Sequence, residues 1–335
     1  MCSVSNVFLT RKKMIMATKL KCWIDAARLR TLPLSVSGII VGCGMAYADY
    51  WKCNNRSGFD GRLFALLMAT TILLQILGNF ANDLGDFQHG TDNENRVGPQ
   101  RTLQSGGLTV GAMKRGIVVA AALSFIVGLL MIWVSFGFGI GFWVFLGVGI
   151  AAIVAAMRYT MGRNPFGYRG LGDLMVLIFF GLATVVGSYF IMTHQINVNV
   201  LMMGLAIGFM SVGVLNVNNL RDSASDRLSG KITMVVRFGT RFGQIYHLSL
   251  CIGAVVLIFA SLFIGRCHVS IGPALGPVAL PVVLLMAHGI RVFKAEDVKT
   301  LDPELKRLSL TTLLMSVLYV VAYMSTTFRA PVCWQ

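Results

Sequence analysis

NFANDLGDFQHGTDNENRVGPQR, at residues 79–101, begins where an apolar run at 63–77 ends. Within eleven positions it places one amide and three carboxylates, those of Asn82, Asp83, Asp86 and Asp92. A second segment, NNLRDSASDRLSGK at 218–231, ends another apolar run in the same way. We expect the rest of the chain to form a scaffold that brings these two acidic segments together.

The two segments share the pattern N-[DN]-L-x-D, which occurs at 82–86 and again at 218–222. The second copy is followed by Asp226, four residues after Asp222. Residues four apart lie on one face of a helix, so these two carboxylates are neighbours if the helix continues that far. Six of the 14 Asp and Glu residues of the chain lie in the two segments.

The composition is that of a membrane protein. A mean hydropathy of +0.72, with 56% hydrophobic and 13% charged residues, does not fit a soluble chain of 335 residues. Apolar runs long enough to cross a bilayer recur along the whole sequence. They predict an all-α polytopic membrane protein in one domain, 1–335, with residues 1–15 as a possible N-terminal extension. The nine predicted spans, arranged as two similar half-bundles, are 32–48, 63–82, 116–136, 138–157, 171–192, 199–219, 244–264, 272–290 and 309–328.

The basic residues are distributed unevenly between the predicted connections. With these spans, 24 of the 29 Lys and Arg residues fall on one side of the membrane. Cytoplasmic loops carry such an excess, so we expect the N-terminus in the cytoplasm and the C-terminus outside. This topology accounts for most of the net charge of +15 without a nucleic-acid partner. It fits a multi-pass membrane protein whose basic connections face the cytoplasm.

Cysteine and histidine give no metal or redox signal. The seven cysteines show no CxxC spacing, and the five histidines form no HxxxH or HxxE pair. We therefore interpret the cysteines as small apolar side chains and expect no zinc site.

The acidic segments are better suited to a hard cation. Two carboxylates about 6 Å apart repel by roughly 3 kcal/mol at an effective dielectric constant near 20. Oxygen ligands without sulfur or imidazole suit Mg²⁺ bound by carboxylates together with substrate phosphates. A diphosphate beside an apolar bundle suggests an isoprenyl diphosphate. The alternative is that the Asp and Asn side chains only cap helices. Removing one carboxylate from this crowded site is expected to cost little stability.

On these residues the sequence resembles the UbiA-type intramembrane prenyltransferases. The resemblance rests on the N-D-x-x-D pattern with a further Asp and on D-x-x-x-D in the second half. It extends to the branch that prenylates 1,4-dihydroxy-2-naphthoate in menaquinone biosynthesis. The segments that carry this likeness are AARLRTLPLSVSGIIVG, NDLGDFQHGTDN, GYRGLGD, NNLRDSASDRLSGK and LDPELKR. The first motif departs from the family's N-x-x-x-D-x-x-x-D because Gly90 takes the third acidic place and Asp92 follows it, a variant similar to that branch.

The resemblance implies a set of site residues. Tyr159 and Arg163 match the family's Y-x-x-x-K/R element, and we predict catalytic roles for them and for Asp86 and Asp222. The predicted substrate-binding residues are Arg30, Arg96, Arg101 and Lys231. The predicted Mg²⁺ ligands are Asn82, Asp83, Asp86, Asp92, Asn218, Asp222 and Asp226.

The implied reaction is Mg²⁺-dependent transfer of a polyprenyl group from polyprenyl diphosphate to 1,4-dihydroxy-2-naphthoate, with loss of the carboxyl group, at the lipid bilayer. The resemblance also implies a multi-pass protein of the bacterial plasma (inner) membrane. A related enzyme with another aromatic acceptor, such as 4-hydroxybenzoate, is the alternative within the family. A transporter is the alternative outside it, but transporters place ionisable groups near mid-membrane and the predicted spans hold hardly any. The sequence leaves open the prenyl chain length, the oligomeric state, the choice between Met1 and Met16 as the start, and the division of roles among Tyr159, Arg163 and Lys231.

Overall fold

The computed structural model describes residues 19–52, 58–92, 97–264 and 271–327. Within these ranges the chain is helical and contains no β-strand, and nine helices are long and apolar enough to cross a membrane. We number these nine helices α1 to α9. Their bounds are Leu32–Lys52, Gly61–Gln88, Val110–Phe136, Ile140–Arg158, Gly172–Thr193, Val198–Leu228, Thr240–Phe263, Ile271–Lys294 and Asp302–Thr327. The predicted all-α polytopic fold is thereby confirmed; residues 1–15 lie outside the described ranges.

The helices form a bundle whose outer surface is apolar. Val118, Ile140 and Trp143 expose 67%, 85% and 64% of their surfaces, as side chains that face lipid do. α1 packs against α5 and α9, while α2 packs on α3 and α6 on α7. α4 packs on α2 and α3 and lies at the edge of the bundle. α4 is accordingly the least buried of the nine helices.

Both acidic segments are helical, which extends the predicted spans. α2 continues six residues beyond position 82 to Gln88, and α6 continues nine beyond 219 to Leu228. The aspartates predicted to lie beyond the ends of these two spans, from Asp83 and from Asp222 onward, therefore begin within the last turns of two long helices. Asn82 and Asp86, and likewise Asp222 and Asp226, lie one above the other on a helix face, as the four-residue spacing predicts.

The two helices end in the same way. Each has a glycine at positive φ two residues past its last helical residue, Gly90 at φ 69° and Gly230 at φ 72°. The next residue then turns back: the Thr91 N–H donates to the Asp86 carbonyl (3.0 Å), and the Lys231 N–H donates to the Asp226 carbonyl (2.9 Å). This is the Schellman ending that glycine permits. Counted back from the helix end, Asp86 of α2 therefore occupies the same position as Asp226 of α6. In the shared N-[DN]-L-x-D pattern, however, Asp86 corresponds to Asp222.

A buried polar chain ties the last three helices together. His247 of α7 and His288 of α8 hydrogen-bond through their Nε2 atoms (2.9 Å), and His288 Nδ1 lies 2.6 Å from Glu304 Oε2 at the start of α9. Arg291 and Arg307 also donate to Glu304. Since buried polar groups require partners, these contacts fix where α9 begins relative to α7 and α8.

Candidate active site

A cavity of about 860 Å³ lies inside the bundle and joins the two acidic helix ends to an apolar interior. One end, which we call the motif end, is lined by polar and charged side chains. They are those of Arg28, Asn79, Asn82, Asp86, Thr91, Arg101, Tyr159, Thr160, Asn218, Asp222, Ser225, Asp226, Lys231, Asp302, Lys306 and Arg307. The remaining walls are mostly apolar, with Ile39, Leu67, Leu129, Ile132, Phe145 and Phe180 among them. A cavity with one charged end and apolar walls suits an amphiphile with a charged head and an apolar tail.

Asp86 is held at the motif end by the α4–α5 loop. The hydroxyl of buried Tyr168 donates to Asp86 Oδ1 (2.8 Å), and the Thr91 hydroxyl bonds to the same phenol oxygen. The backbone carbonyl of Tyr168 accepts from the Ile232 N–H (3.1 Å), beside Lys231. Burial and the Asp86 charge raise the pKa of Tyr168, so it remains a neutral donor. The loop thus connects the two helix ends.

Asn82 is held by the residue that follows Tyr159. The Thr160 hydroxyl donates to Asn82 Oδ1 and to the Ala81 carbonyl, both at 3.1 Å. This approach requires glycine at position 85, where a Cβ atom would lie 2.5 Å from the Thr160 carbonyl oxygen. Close contact between α2 and the end of α4 therefore orients Asn82 toward the cavity.

Asp222 is clamped by its neighbour Arg221, whose side chain is 1% exposed. The guanidinium donates from Nε to Oδ1 (2.8 Å) and from Nη2 to Oδ2 (2.6 Å). It also donates to Asn218 Oδ1 (2.8 Å) and to Asp302 at the start of α9. A Cβ at Gly98 would lie 2.7 Å from the Arg221 Nη2 atom, so the loop after the first motif packs on this group. One buried guanidinium thus connects three segments.

Lys231 supplies positive charge between the two motifs. Its Nζ lies 3.5 Å from Asp226 Oδ1 and 5.7 Å from the centroid of the Tyr168 ring. Burial alone would lower the pKa of Lys231, but the charges of Asp86 and Asp226 outweigh it and hold that pKa above its ordinary value. The amine is therefore protonated. Burial raises the pKa of nearby Tyr159 to about 12, so its phenol is neutral and can donate a hydrogen bond.

Asp83, a predicted Mg²⁺ ligand, is directed away from the cavity. It is 1% exposed, pairs with Arg28, and accepts from the Thr102 hydroxyl (3.3 Å). Arg101 Nε lies 3.7 Å from the same carboxylate. The geometry thus gives Asp83 a structural role, joining the segment before α1 to the loop after α2. That position does not support the predicted metal role.

The structure brings together most, but not all, of the predicted site residues. Those that line the cavity are Asn82, Asp86, Arg101, Tyr159, Asn218, Asp222, Asp226 and Lys231. Arg163 is exposed and does not line it, because the loop after Tyr159 turns it outward. Asp92 is buried beside Asp86, and its N–H points to the Asp86 carbonyl (3.4 Å). Arg96 and the side chain of Arg30 lie outside the described part of the chain.

Four residues at the motif end did not emerge from the sequence: Arg28, Tyr168, Arg221 and Asp302. Each lies in one of the segments that carry the family likeness, so the sequence did mark the segment, although not the residue. Arg28 lies two residues before Arg30, with a left-handed φ of 51° that directs it to Asp83. Arg221 lies inside the repeated pattern, at its variable position. Spacing alone could not separate these residues from their neighbours.

The donor set at the motif end fits a hard cation such as Mg²⁺. Asp86, Asp222 and Asp226 contribute carboxylates, and Asn82 and Asn218 contribute amide oxygens, to the lining of the same cavity. Asp226 Oδ2 is buried, and no hydrogen bond within the described residues reaches it. Among the same residues, no group of three or more His, Cys, Asp or Glu side chains is placed to hold a metal ion by itself. Mg²⁺ commonly uses one or two carboxylates and completes its shell with phosphate and water, so an open set is suitable.

Comparison with known proteins gives a consistent result. Residues 37–310 match the model of the UbiA prenyltransferase family. A 1,4-dihydroxy-2-naphthoate octaprenyltransferase of Haemophilus influenzae is 39% identical over 309 residues, covering 92% of this chain and 97% of the relative. The Escherichia coli protein of the same name is 37% identical over 305 residues, covering 91% and 95%.

Solved structures show the same fold. A UbiA homolog from Aeropyrum pernix has a TM-score of 0.63 at 16% identity, covering 88% of this chain and 97% of its own. A UbiA homolog from Archaeoglobus fulgidus, solved with DMAPP and Mg²⁺, has a TM-score of 0.61 at 13% identity, covering 90% and 98%. At these identities the likeness establishes the architecture alone.

Proposed function

Because this chain belongs to the UbiA prenyltransferase family, we propose that it transfers a polyprenyl group from polyprenyl diphosphate to 1,4-dihydroxy-2-naphthoate. The observation that carries the proposal is the single cavity with both acidic helix ends at one end and apolar walls beyond. The names of the relatives indicate the acceptor and the octaprenyl donor. The product is a demethylmenaquinol, an intermediate of menaquinone biosynthesis.

The motif end is the place for the diphosphate. Asp86, Asp222 and Asp226, with Asn82 and Asn218, would hold Mg²⁺, and the Archaeoglobus homolog solved with DMAPP and Mg²⁺ supports Mg²⁺ as the cation for this fold. When bound, Mg²⁺ neutralises diphosphate charge and makes diphosphate a better leaving group. Lys231 contributes a fixed positive charge at the same place, and the neutral phenol of Tyr159 can donate to a phosphate oxygen. These residues favour departure of the diphosphate from the first prenyl carbon.

The apolar walls protect the reacting carbon. As the C–O bond to diphosphate breaks, the allylic carbon becomes electron-deficient and would react with water. Exclusion of water from the cavity leaves the electron-rich naphthoate ring as the nucleophile. A C–C bond forms at the ring carbon that bears the carboxyl group, which leaves as carbon dioxide. The three products, prenylated hydroquinone, carbon dioxide and diphosphate, together account for all the atoms of the two substrates.

Arg28 and Arg101 extend the positive charge of the cavity beyond Lys231. They suit either the diphosphate or the carboxylate of the acceptor. We place the chain in the bacterial plasma membrane, with the motif end and the N-terminus on the cytoplasmic side, as the charge distribution indicates.

The test is a direct transfer assay. Purified protein in detergent receives radiolabelled octaprenyl diphosphate, Mg²⁺ and either 1,4-dihydroxy-2-naphthoate or 4-hydroxybenzoate, and products are separated by chromatography. We expect a prenylated, decarboxylated naphthoquinol and no benzoate product. A product from 4-hydroxybenzoate alone would assign the chain to the other acceptor class. No product from either acceptor in folded protein would contradict the proposed reaction.

A further inference from the structure

The loop between α4 and α5 crosses the motif end and packs directly on it. Its short helical turn, Phe166–Tyr168, is joined to the end of α4 because the Gly167 N–H donates to the Tyr159 carbonyl (2.8 Å). A Cβ atom at position 167 would lie 3.0 Å from that carbonyl oxygen and 3.1 Å from the Tyr159 ring, so glycine permits the close approach. These contacts give Tyr168 a defined place between the two acidic helix ends.

The Tyr168 hydroxyl contacts the first motif. It donates to Asp86 Oδ1 (2.8 Å), and Tyr168 as a whole is buried. An ionised carboxylate can only accept, so the phenol is the donor, and the Thr91 hydroxyl then donates to the phenol oxygen. Within the described part of the chain, no other side-chain hydrogen bond reaches the Asp86 carboxylate. The orientation of this predicted Mg²⁺ ligand therefore depends on one hydroxyl group.

The Tyr168 ring contacts the second motif. The Lys231 Nζ atom lies 5.7 Å from the ring centroid, within the range of a cation–π interaction. The Tyr168 carbonyl accepts from the Ile232 N–H (3.1 Å), which keeps the residues after α6 beside the ring. A single residue thus contacts a carboxylate of the first motif with its hydroxyl and the ammonium of the second segment with its ring.

We propose that Tyr168 is a positioning residue that couples the two motifs. Its hydroxyl orients Asp86 toward the metal, and its ring holds Lys231 in place for the diphosphate. The inference rests on the proposed function, in which both groups bind at the motif end. The two roles belong to different parts of one side chain, so substitutions can separate them: phenylalanine keeps the ring and removes only the hydroxyl, whereas leucine removes both.

The experiment measures binding to the full chain in detergent. The affinity for Mn²⁺, a paramagnetic substitute for Mg²⁺, is read by electron paramagnetic resonance. The affinity for inorganic diphosphate at saturating Mg²⁺ is read by calorimetry. Tyr168→Phe should bind Mn²⁺ about 10–100-fold more weakly, as loss of a group that orients a metal ligand does, and should bind diphosphate like wild type. Tyr168→Leu should bind Mn²⁺ as weakly and should also lose about threefold or more in diphosphate affinity.

Tyr323→Phe is the matched control. The Tyr323 hydroxyl also donates to an aspartate, Asp49 (3.1 Å), but it lies near the other end of α9 and does not line the cavity. Its loss removes the same kind of buried bond, so thermal melting of the two phenylalanine variants shows how much of any effect is stability alone. Mn²⁺ and diphosphate affinity should be unchanged in Tyr323→Phe.

The outcomes separate the two roles from each other and from the reaction. Wild-type Mn²⁺ affinity in folded Tyr168→Phe, or an equal loss in Tyr323→Phe, would overturn the role of the hydroxyl. Equal diphosphate affinity in Tyr168→Phe and Tyr168→Leu would overturn the role of the ring, and Tyr168→Met replaces the leucine variant if that does not fold. Neither measurement needs turnover. Binding as expected in a chain that transfers no prenyl group would therefore contradict the proposed function and uphold the coupling.

Discussion

Asp86→Asn and Asp222→Asn separate the chemistry of the two acidic helix ends from their contribution to stability. Both substitutions keep the size of the side chain and remove the charge that a metal requires. The charge stabilisation supplied by a bound metal ion is worth several kcal/mol. Since each ~1.4 kcal/mol is tenfold in rate, turnover should fall by at least about 100-fold in either variant. The double variant should lose much less than the product of the two, because groups that act as a unit are not additive.

Stability should distinguish the two variants. Asp222 is one partner of a buried, two-pronged ion pair with Arg221. Removing one partner of such a pair costs about 3–5 kcal/mol, and we expect the lower end because Arg221 keeps Asn218 and Asp302. Asn at position 86 can still accept from the Tyr168 hydroxyl, so Asp86→Asn should be nearly neutral. For Asp222, the contacts of Arg221 thus lead us to predict a loss of stability where the sequence alone predicts none.

The assay is octaprenyl transfer together with thermal melting in the same detergent. Asp222→Asn should melt well below Asp86→Asn and wild type, and both variants should be inactive at temperatures where they are folded. Full activity of both folded variants would refute the metal role and favour helix capping, for which Asn is as good as Asp. Equal melting temperatures would refute the argument for the Arg221 clamp.

Three further expectations follow from the site. Exhaustive chelation with EDTA should abolish turnover and added Mg²⁺ should restore it, since the donor set is all oxygen; turnover after chelation would contradict this. Arg221→Gln should weaken Mn²⁺ affinity, read by electron paramagnetic resonance, by about 10–100-fold, as loss of a group that orients a metal ligand does; tighter binding would instead show that Arg221 competes with the metal. A cysteine replacing Gln88, which is exposed at the end of α2, should react with an impermeant thiol reagent only from the cytoplasm in a cysteine-free background; labelling of intact cells would reverse the orientation.

The fold could be predicted from sequence because its signals are long and redundant. Nine apolar runs, each near the length of a bilayer crossing, leave little choice of architecture, and the predicted spans 116–136 and 138–157 already imply the short connection observed between α3 and α4. The ends of α2 and α6 were placed too early because polar residues look like loop when hydropathy is the criterion. Their helical continuation depends on tertiary partners, such as Tyr168 for Asp86 and Arg221 for Asp222.

The candidate site could be predicted by residue type but not by direction. Asp83 and Asp86 are three residues apart and of the same residue type, yet only Asp86 lines the cavity. The difference arises from Arg28 and Thr102, which are distant from Asp83 in sequence. Their side chains donate hydrogen bonds to the Asp83 carboxylate and hold it in a structural contact away from the cavity. Arg163 matches a motif position, but its loop turns it outward. Sequence patterns give the available groups, and packing decides which of them a substrate can reach.

The two ends of the cavity contribute to selectivity in different ways. A prenyl tail gains little free energy on moving from lipid into the bundle, because lipid is as apolar as the cavity walls. Affinity for the donor must therefore come from the motif end, where Asp226, Lys231 and their neighbours interact with the head group. The apolar end can select only by excluding tails that do not fit. It follows that substitutions at Lys231, which lies beside Asp226 at the motif end, should weaken binding of every donor alike.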